Sequence, residues 1–313
     1  MTKRELVMAV LEGKPQERIP AAFFTHFDKS CHAGQAAVDK HLEYFAATDM
    51  DLVKIQYERT FPAVPGIETP ADWAGLPALT EDYFAPQLAA VEGLVRAARA
   101  EAVIVHTLYS PFMCAGHMVG GRDRVIAHIL QDPDAVNVGM ARVAANLMVF
   151  VEACIRIGVD GFYHSTQGGE VAALRRSGAF EKCVRPWDLQ VMTEINRRCP
   201  FNILHVCDYH GLYEDIEPTL NYPGHVVNSP VHIGGGERSG AILAAAFGRP
   251  FMGGMDRMGA LAKGTPDEVR ADARRVLAAA PTPFILAADC TVPAGTPWEN
   301  LRAAVDEAHA WRP

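Results

Sequence analysis

No block of Lys or Arg occurs in these 313 residues, whose 29 basic and 37 acidic side chains leave a net charge of −8. Without a basic footprint the chain has no electrostatic grip on a phosphate backbone, which excludes a nucleic-acid partner. A paired cysteine framework is missing too. The seven cysteines are odd in number and scattered at 31, 114, 154, 183, 199, 207 and 290, a pattern that leaves thiols reduced and available as ligands. No apolar run reads as long enough to span a bilayer. The opening MTKRELVMAVLEGK is a short charged amphipathic helix, unlike a signal peptide. A cytoplasmic protein with no membrane or nucleic-acid partner is therefore expected, with self-association as a homodimer left open. Internal repeats, low-complexity tracts and linker-like stretches are also lacking.

What is present is an ordinary globular balance, 49% hydrophobic against 21% charged, at a length that fits one large α/β barrel or two smaller domains. Short β-branched or apolar runs alternate with longer helical patterns. Strands are expected at 19–24, 52–56, 103–107, 161–164, 202–206, 225–228, 250–253 and 284–287. Helices are expected near 3–12, 34–47, 87–99, 134–157, 186–198, 238–247 and 267–279, with a closing one near 297–309. Eight strands alternating with helices predict an α/β fold, a single (β/α)8 TIM-type barrel over residues 1–313. Thr265-Pro266-Asp267-Glu268 and Thr296-Pro297-Trp298-Glu299 both read as capping boxes with proline in the first helical turn. The Pro-rich segment 61–77, FPAVPGIETPADWAGLP, is a long loop after the second strand, expected as a lid or wall over the barrel mouth.

In that fold the active site gathers at the C-terminal ends of the strands, and the residues expected there are polar. They include His26 and Asp28, Lys54, Gln56 and Glu58, His106 and Tyr109, and the run His164-Ser165-Thr166-Gln167. Later strands add His205 and Cys207, Asn228, Asp256-Arg257 and Asp289-Cys290. This concentration points to an enzyme. The stretch NILHVC presents His205 and Cys207 two residues apart, hence on one face of an extended chain. A buried His and a buried thiol are by themselves more often packing groups than ligands. Cys290, which follows FILAAD at the mouth end of the last strand, supplies a third donor. One nitrogen and two sulfurs suit zinc with a fourth position open. Strands five and eight are not neighbours in an eight-stranded barrel, so either the donors converge inward across the mouth or the strand count differs by one.

His164, Asp256 and Glu58 each offer a fourth ligand or a group that orients His205. Asp256 is the first choice, and Asp256 and His164 are the candidate catalytic residues. The loop from His232 to Ser239 carries Gly234, Gly235 and Gly236, whose amides are candidates for holding an anionic tail of a thiol, folate or cofactor. A plain loop is the other reading. Cys31-His32 and the Cys114/His117 pair lie without a third partner and read as structural.

His205-Val206-Cys207, followed far downstream by Cys290-Thr291-Val292-Pro293 within ILAADCTVPAGTPWENLRAAVDEA, resembles the uroporphyrinogen decarboxylase superfamily, in particular its cobalamin-related methyltransferase branch. MTKRELVMAVLEGKPQERIP, TDMDLVKIQ, GFYHSTQGGE and FMGGMDRMGALAKGTPDEVR are similar to further blocks of that family in the same order. The resemblance implies zinc on His205, Cys207 and Cys290. It further implies a methyl group moved between a corrinoid (or folate) carrier, with a corrinoid protein as partner, and a small thiol. The decarboxylase itself carries an arginine-rich segment after its first strand, a bidentate carboxylate grip. Here Thr25-His26-Phe27-Asp28-Lys29-Ser30 has no arginine, which disfavours decarboxylation of uroporphyrinogen. The chain is also more compact than the coenzyme M methyltransferases, so the acceptor does not carry over. No S-adenosylmethionine signature is present, since GGMDRMG falls at the seventh strand and not at a Rossmann opening. The remaining readings are a decarboxylase or lyase of another acid, using Asp256 or Asp28, and a non-catalytic ligand-binding barrel.

Overall fold

Apolar runs three to seven residues long, each entered through a helix or loop and each buried on both faces, are what a parallel sheet under a layer of helices requires. The computed structural model describes residues 1–13 and 17–312. Among them lie seven such strands: β1 Leu52–Ile55, β2 Val103–Tyr109, β3 Gly161–Thr166, β4 Ile203–Val206, β5 Val226–Asn228, β6 Phe251–Met255 and β7 Phe284–Ala288. They pair in parallel in chain order from β1 to β7. The result is a curled sheet of TIM type, with its polar strand ends on one side and helices around the outside. A connected apolar core runs from Val7 to Ala308.

The expected eighth strand, 19–24, does not form, so the closed (β/α)8 barrel is corrected to a seven-stranded curled sheet. The segment makes a single parallel bridge, Ala21 to Leu286 of β7. Ala22 N–H donates to Leu286 O at 3.0 Å, Leu286 N–H donates to Pro20 O at 2.9 Å, and Asp51 N–H, just before β1, donates to Ala21 O at 2.9 Å. The chain therefore fills the gap between the two edges without becoming a ladder. Two causes are visible. Pro20 has no N–H to donate, and the Ala21 N–H is taken by the Asp51 carboxylate at 2.8 Å.

Helix boundaries follow local chemistry. Thr265 caps Pro266–Ala278 through the expected box with Glu268. The second expected box fails: Trp298–Ala310 begins after Pro297 with no side-chain cap, and Thr296 Oγ1 is buried without a partner. The expected helix at 87–99 starts earlier, at Glu81, and runs through Pro86. Helices Pro111–Val119 and Arg122–Gln131, unexpected from periodicity, follow β2. Pro133–Ile157 is long and apolar enough to cross a membrane by length and composition, with a mean hydropathy of 1.6 in its most apolar window. Here Val136, Met140, Val143, Leu147, Phe150 and Cys154, at helical spacing, are buried against the rest of the fold.

The Pro-rich loop packs onto the neighbouring helices. Its Pro70–Gly75 turn buries Trp73 completely, and the indole Nε1–H donates to His128 Nδ1 at 3.0 Å. None of 61–77 lines the cavity over the strand ends.

Close approach is tightest at Gly161, the first residue of β3, where an added Cβ would sit 1.8 Å from the Phe201 carbonyl oxygen. Because that atom is backbone, β3 and β4 must separate to admit a methyl group. Gly161→Ala is expected to cost about 3 kcal/mol or more. Gly75→Ala, which meets nothing within 4 Å, should change little. Urea midpoints of the two variants check this, and equal midpoints would refute it.

Candidate metal centre

β4 is buried throughout, and its period of two sends His205 inward while Leu204 and Val206 face the helices. Cys207 lies one residue beyond the strand yet keeps its register, because its N–H donates to Thr166 O of β3 at 3.2 Å. Cys290 follows β7, where Asp289 N–H donates to Met255 O at 2.9 Å and Val292 N–H to Phe24 O at 2.7 Å. The two loops are separated in the sheet by β5 and β6. They nevertheless converge across the mouth: Cys290 Sγ is 3.3 Å from His205 Nε2. One donor atom from each of His205, Cys207 and Cys290 lies within 4.8 Å of the others, and all three residues are buried. Among the described residues no other three His, Cys, Asp or Glu side chains meet this closely.

The donors form part of the wall of a cavity of about 610 Å³, within the range of small-molecule sites. Tyr109, Met113, Tyr163, Val292 and Pro293 supply apolar surface, while Lys54, Gln167 and Arg257 supply polar groups. The Tyr163 ring stacks on His205 at 4.7 Å and 25°, and its hydroxyl donates to Asn228 Oδ1 at 2.6 Å. Burial keeps that phenol protonated. Gln167 Nε2–H donates to Cys207 Sγ at 3.4 Å. The two thiols share a proton unequally. Hydrogen bonding from Cys290 holds Cys207 well below the ordinary thiol value, with His205 and Gln167 adding to it, and Cys290 is correspondingly raised. His205 Nδ1 is buried with no partner. A soft cation fits this set by chemistry: two sulfurs and an imidazole in one buried cluster, with a ring nitrogen unsatisfied.

Arg257 joins the loops. Its Nη1 lies 2.9 Å from Asp208 Oδ1 and 3.1 Å from Asp289 Oδ2, and its backbone N–H donates to Asp289 Oδ1 at 3.0 Å. Each aspartate adjoins a cysteine in sequence.

The other expected site residues go elsewhere. The Asp256 carboxylate accepts the N–H of Met258 at 2.7 Å, closing its own turn, and stands outside the donor cluster. His164 alternates with Tyr163 and Ser165 on β3, so those two line the cavity while His164 faces away, buried with neither ring nitrogen bonded. Glu58 is engaged by His26 at 3.0 Å. Gly234 and Gly235, at φ 60° and 75°, make the tight turn between His232–Ile233 and Gly236–Glu237. Gly234 N–H is bonded to Tyr213 O. These glycines belong to a hairpin that does not line this cavity. Gln167, Arg257 and Lys54 stood at expected strand ends, but nothing in their spacing gave them roles.

Replacing Arg257 with Met leaves Asp208 and Asp289, 8% and 4% exposed, facing one another without a cation. A loss of about 3 kcal/mol is expected at neutral pH. Burial already raises Asp289 against the pull of Arg257, and removing Arg257 raises it further. A carboxyl with a raised folded value favours folding when protonated and loses that contribution as pH rises through the folded value. The deficit should therefore be smallest in acid and grow above the ordinary aspartate value of 3.8. Denaturant titrations across pH measure it, and a deficit that shrinks towards neutrality would contradict the clamp.

Residues 45–311 match the family model described as uroporphyrinogen decarboxylase (URO-D). Among solved structures the chain is similar to a methyltransferase from Methanosarcina mazei, at 15% identity over 98% of each chain and a TM-score of 0.78. It is also similar to a B12-independent methionine synthase from Shewanella sp. W3-18-1, at 11% identity over 93% of this chain and 97% of the other, with a TM-score of 0.59. No curated protein matches the sequence.

Proposed function

The chain belongs to the uroporphyrinogen decarboxylase family, whose model spans most of its length, and from that premise we propose that it is a zinc-dependent methyltransferase moving a methyl group between a corrinoid or folate carrier and a small thiol. The observation that carries this reading is the convergence of His205, Cys207 and Cys290 in a buried cluster at the cavity wall. Two further features support it. The only guanidinium in the cavity wall among the described residues, Arg257, is held by two carboxylates, so none is free to grip a polyacid substrate. Two of the similar solved structures, a methyltransferase and a methionine synthase, suggest methyl transfer as the class.

Zinc held there would lower the pKa of a thiol entering its open position and so supply the nucleophile. The chain's own residues prepare the site. Gln167 fixes the Cys207 sulfur by donating to it. Tyr163 fixes the plane of the His205 ring by stacking. Arg257 holds the Cys207 and Cys290 loops at one spacing. Tyr109, Met113 and Val292 make the surroundings apolar, which strengthens electrostatic interactions inside. A decarboxylase or lyase acting on a smaller acid is the competing reading. It draws on the family match alone, since Asp256 is turned to its own backbone.

Purified protein should hold about one zinc per chain, and Cys207→Ala or Cys290→Ala should lose it. Gln167→Ala should weaken zinc affinity about tenfold. Elemental analysis and competition with a chromogenic chelator measure both, and stoichiometric zinc in either cysteine variant would place the metal elsewhere.

Thiol binding to the zinc form should release about one proton near neutral pH. Methyl transfer from methylcobalamin to a thiol, followed by cobalamin absorbance and thioether product across a thiol panel that includes homocysteine, should require zinc and vanish in Cys207→Ala. Folded, zinc-loaded protein that methylates no thiol yet decarboxylates an acid would reverse the ranking of the two readings.

A further inference from the structure

One positive charge in the cavity wall has no carboxylate partner among the described residues. Lys54, on β1, is 5% exposed, and its Nζ makes a single polar contact, a hydrogen bond to the Gln56 amide oxygen at 3.1 Å. The ammonium lies 4.7 Å from the ring centroids of both Phe24 and Tyr163. Two π-faces ease the burial of a cation but do not neutralise it, and no carboxylate among the described residues pairs with it. Other charges nearby are committed: Arg257 to Asp208 and Asp289, and Glu58 to His26. Burial drives Lys54 down to about 7, against the pull of Cys290, Glu58 and Cys207.

A buried ammonium with two unused N–H donors, facing a cavity, matches an anion brought by the ligand. Its place defines the anion. Tyr163 carries Lys54 Nζ near its ring and His205 stacked upon it, so the ammonium and the metal donors flank one aromatic ring. The ammonium and the His205 ring each lie 4.7 Å from the Tyr163 ring centroid, so they are no more than twice that apart, a span that one small ligand can bridge. One unpaired ammonium without a free guanidinium suits a monoanion over a phosphate dianion or a polyacid.

We propose that Lys54 is the anion-binding residue of this cavity, and that the molecule reaching His205, Cys207 and Cys290 is a small monocarboxylate whose carboxylate pairs with Lys54 Nζ. The identity of the reacting atom rests on the methyl-transfer reading above; the carboxylate pairing does not.

Calorimetric titration of the full-length protein, as purified and at slightly acid pH, separates the two. The probes are 3-mercaptopropionate and 3-mercaptopropionamide, and the thiol-free pair butyrate and butyramide. The wild type should bind each carboxylate at least about tenfold more tightly than its amide. Lys54→Met should erase that preference while leaving amide affinity unchanged, and Lys54→Arg should keep part of it. Met puts an apolar side chain between Phe24 and Tyr163, so Lys54→Met should unfold no earlier than the wild type. Equal affinity for acid and amide in the wild type, no measurable binding of either carboxylate, or a preference that persists in folded Lys54→Met would each overturn the proposal. Should Lys54→Met not fold, the Lys54→Arg and wild-type comparisons decide alone. A Lys54-dependent preference without any advantage of thiol over thiol-free probe would support the proposal and count against the zinc reading alone.

Discussion

Arg257 sits between two carboxylates that the chain supplies in mirrored order, Cys207-Asp208 on one loop and Asp289-Cys290 on the other. Two buried aspartates without a cation repel, and the low dielectric of the mouth magnifies that repulsion. With the guanidinium between them the same charges become an attraction that draws two non-adjacent loops over the strand ends. The closeness of the sulfurs to one another is thus a by-product of where their neighbours' charges find balance. A donor set spread over β4 and β7, with two strands intervening, has no backbone ladder to hold it together, and the ion pair does that work.

A second link runs beneath it, inside the curl of the sheet. The Asn228 side chain accepts from Tyr163 and donates to Met252 O at 2.8 Å and Ala288 O at 3.0 Å. The ring that stacks on His205 is therefore tied through one amide to β6 and β7, the strands that lead to Arg257 and Cys290. Every member of this chain is buried and bonded, the condition under which an interior polar network adds rigidity and not cost.

Alternation of apolar runs with helical patterns was enough to find all seven strands, because a sheet buried on both faces leaves an uninterrupted apolar record. The eighth run, 19–24, carries the same record but lost its ladder to Pro20 and the Asp51 carboxylate, and a side chain thirty residues away leaves no local trace. His205, Cys207 and Cys290 were legible from residue type, the spacing of two, and their places at strand ends. Asp256 and His164 lie outside the donor cluster for different reasons. Asp256 satisfies its own turn, a short-range bond that competes with any ligand, and His164 is one residue out of phase with the cavity-facing side of β3. Gln167, Arg257 and Lys54 were visible as strand-end residues, but their roles depend on distances between separate loops that no periodicity encodes. Gly234 to Gly236 satisfied a hairpin, a demand that looks identical in sequence to an anion-binding loop.

Asp51 gathers distant parts of the chain on one carboxylate: Arg18 at 3.2 Å, the Ala21 N–H, and His309 of the last helix at 2.7 Å. This knot holds the seam where the sheet would otherwise stand open. Its members Arg18 and His309 are far apart in sequence, so a ribosome delivers one long before the other. The emerging chain can pair β1 to β2, β3 and onward as each strand appears, but the seam waits for residues beyond 300. Until then one edge of the nascent sheet is bare, and the curl stays open until His309 has been made.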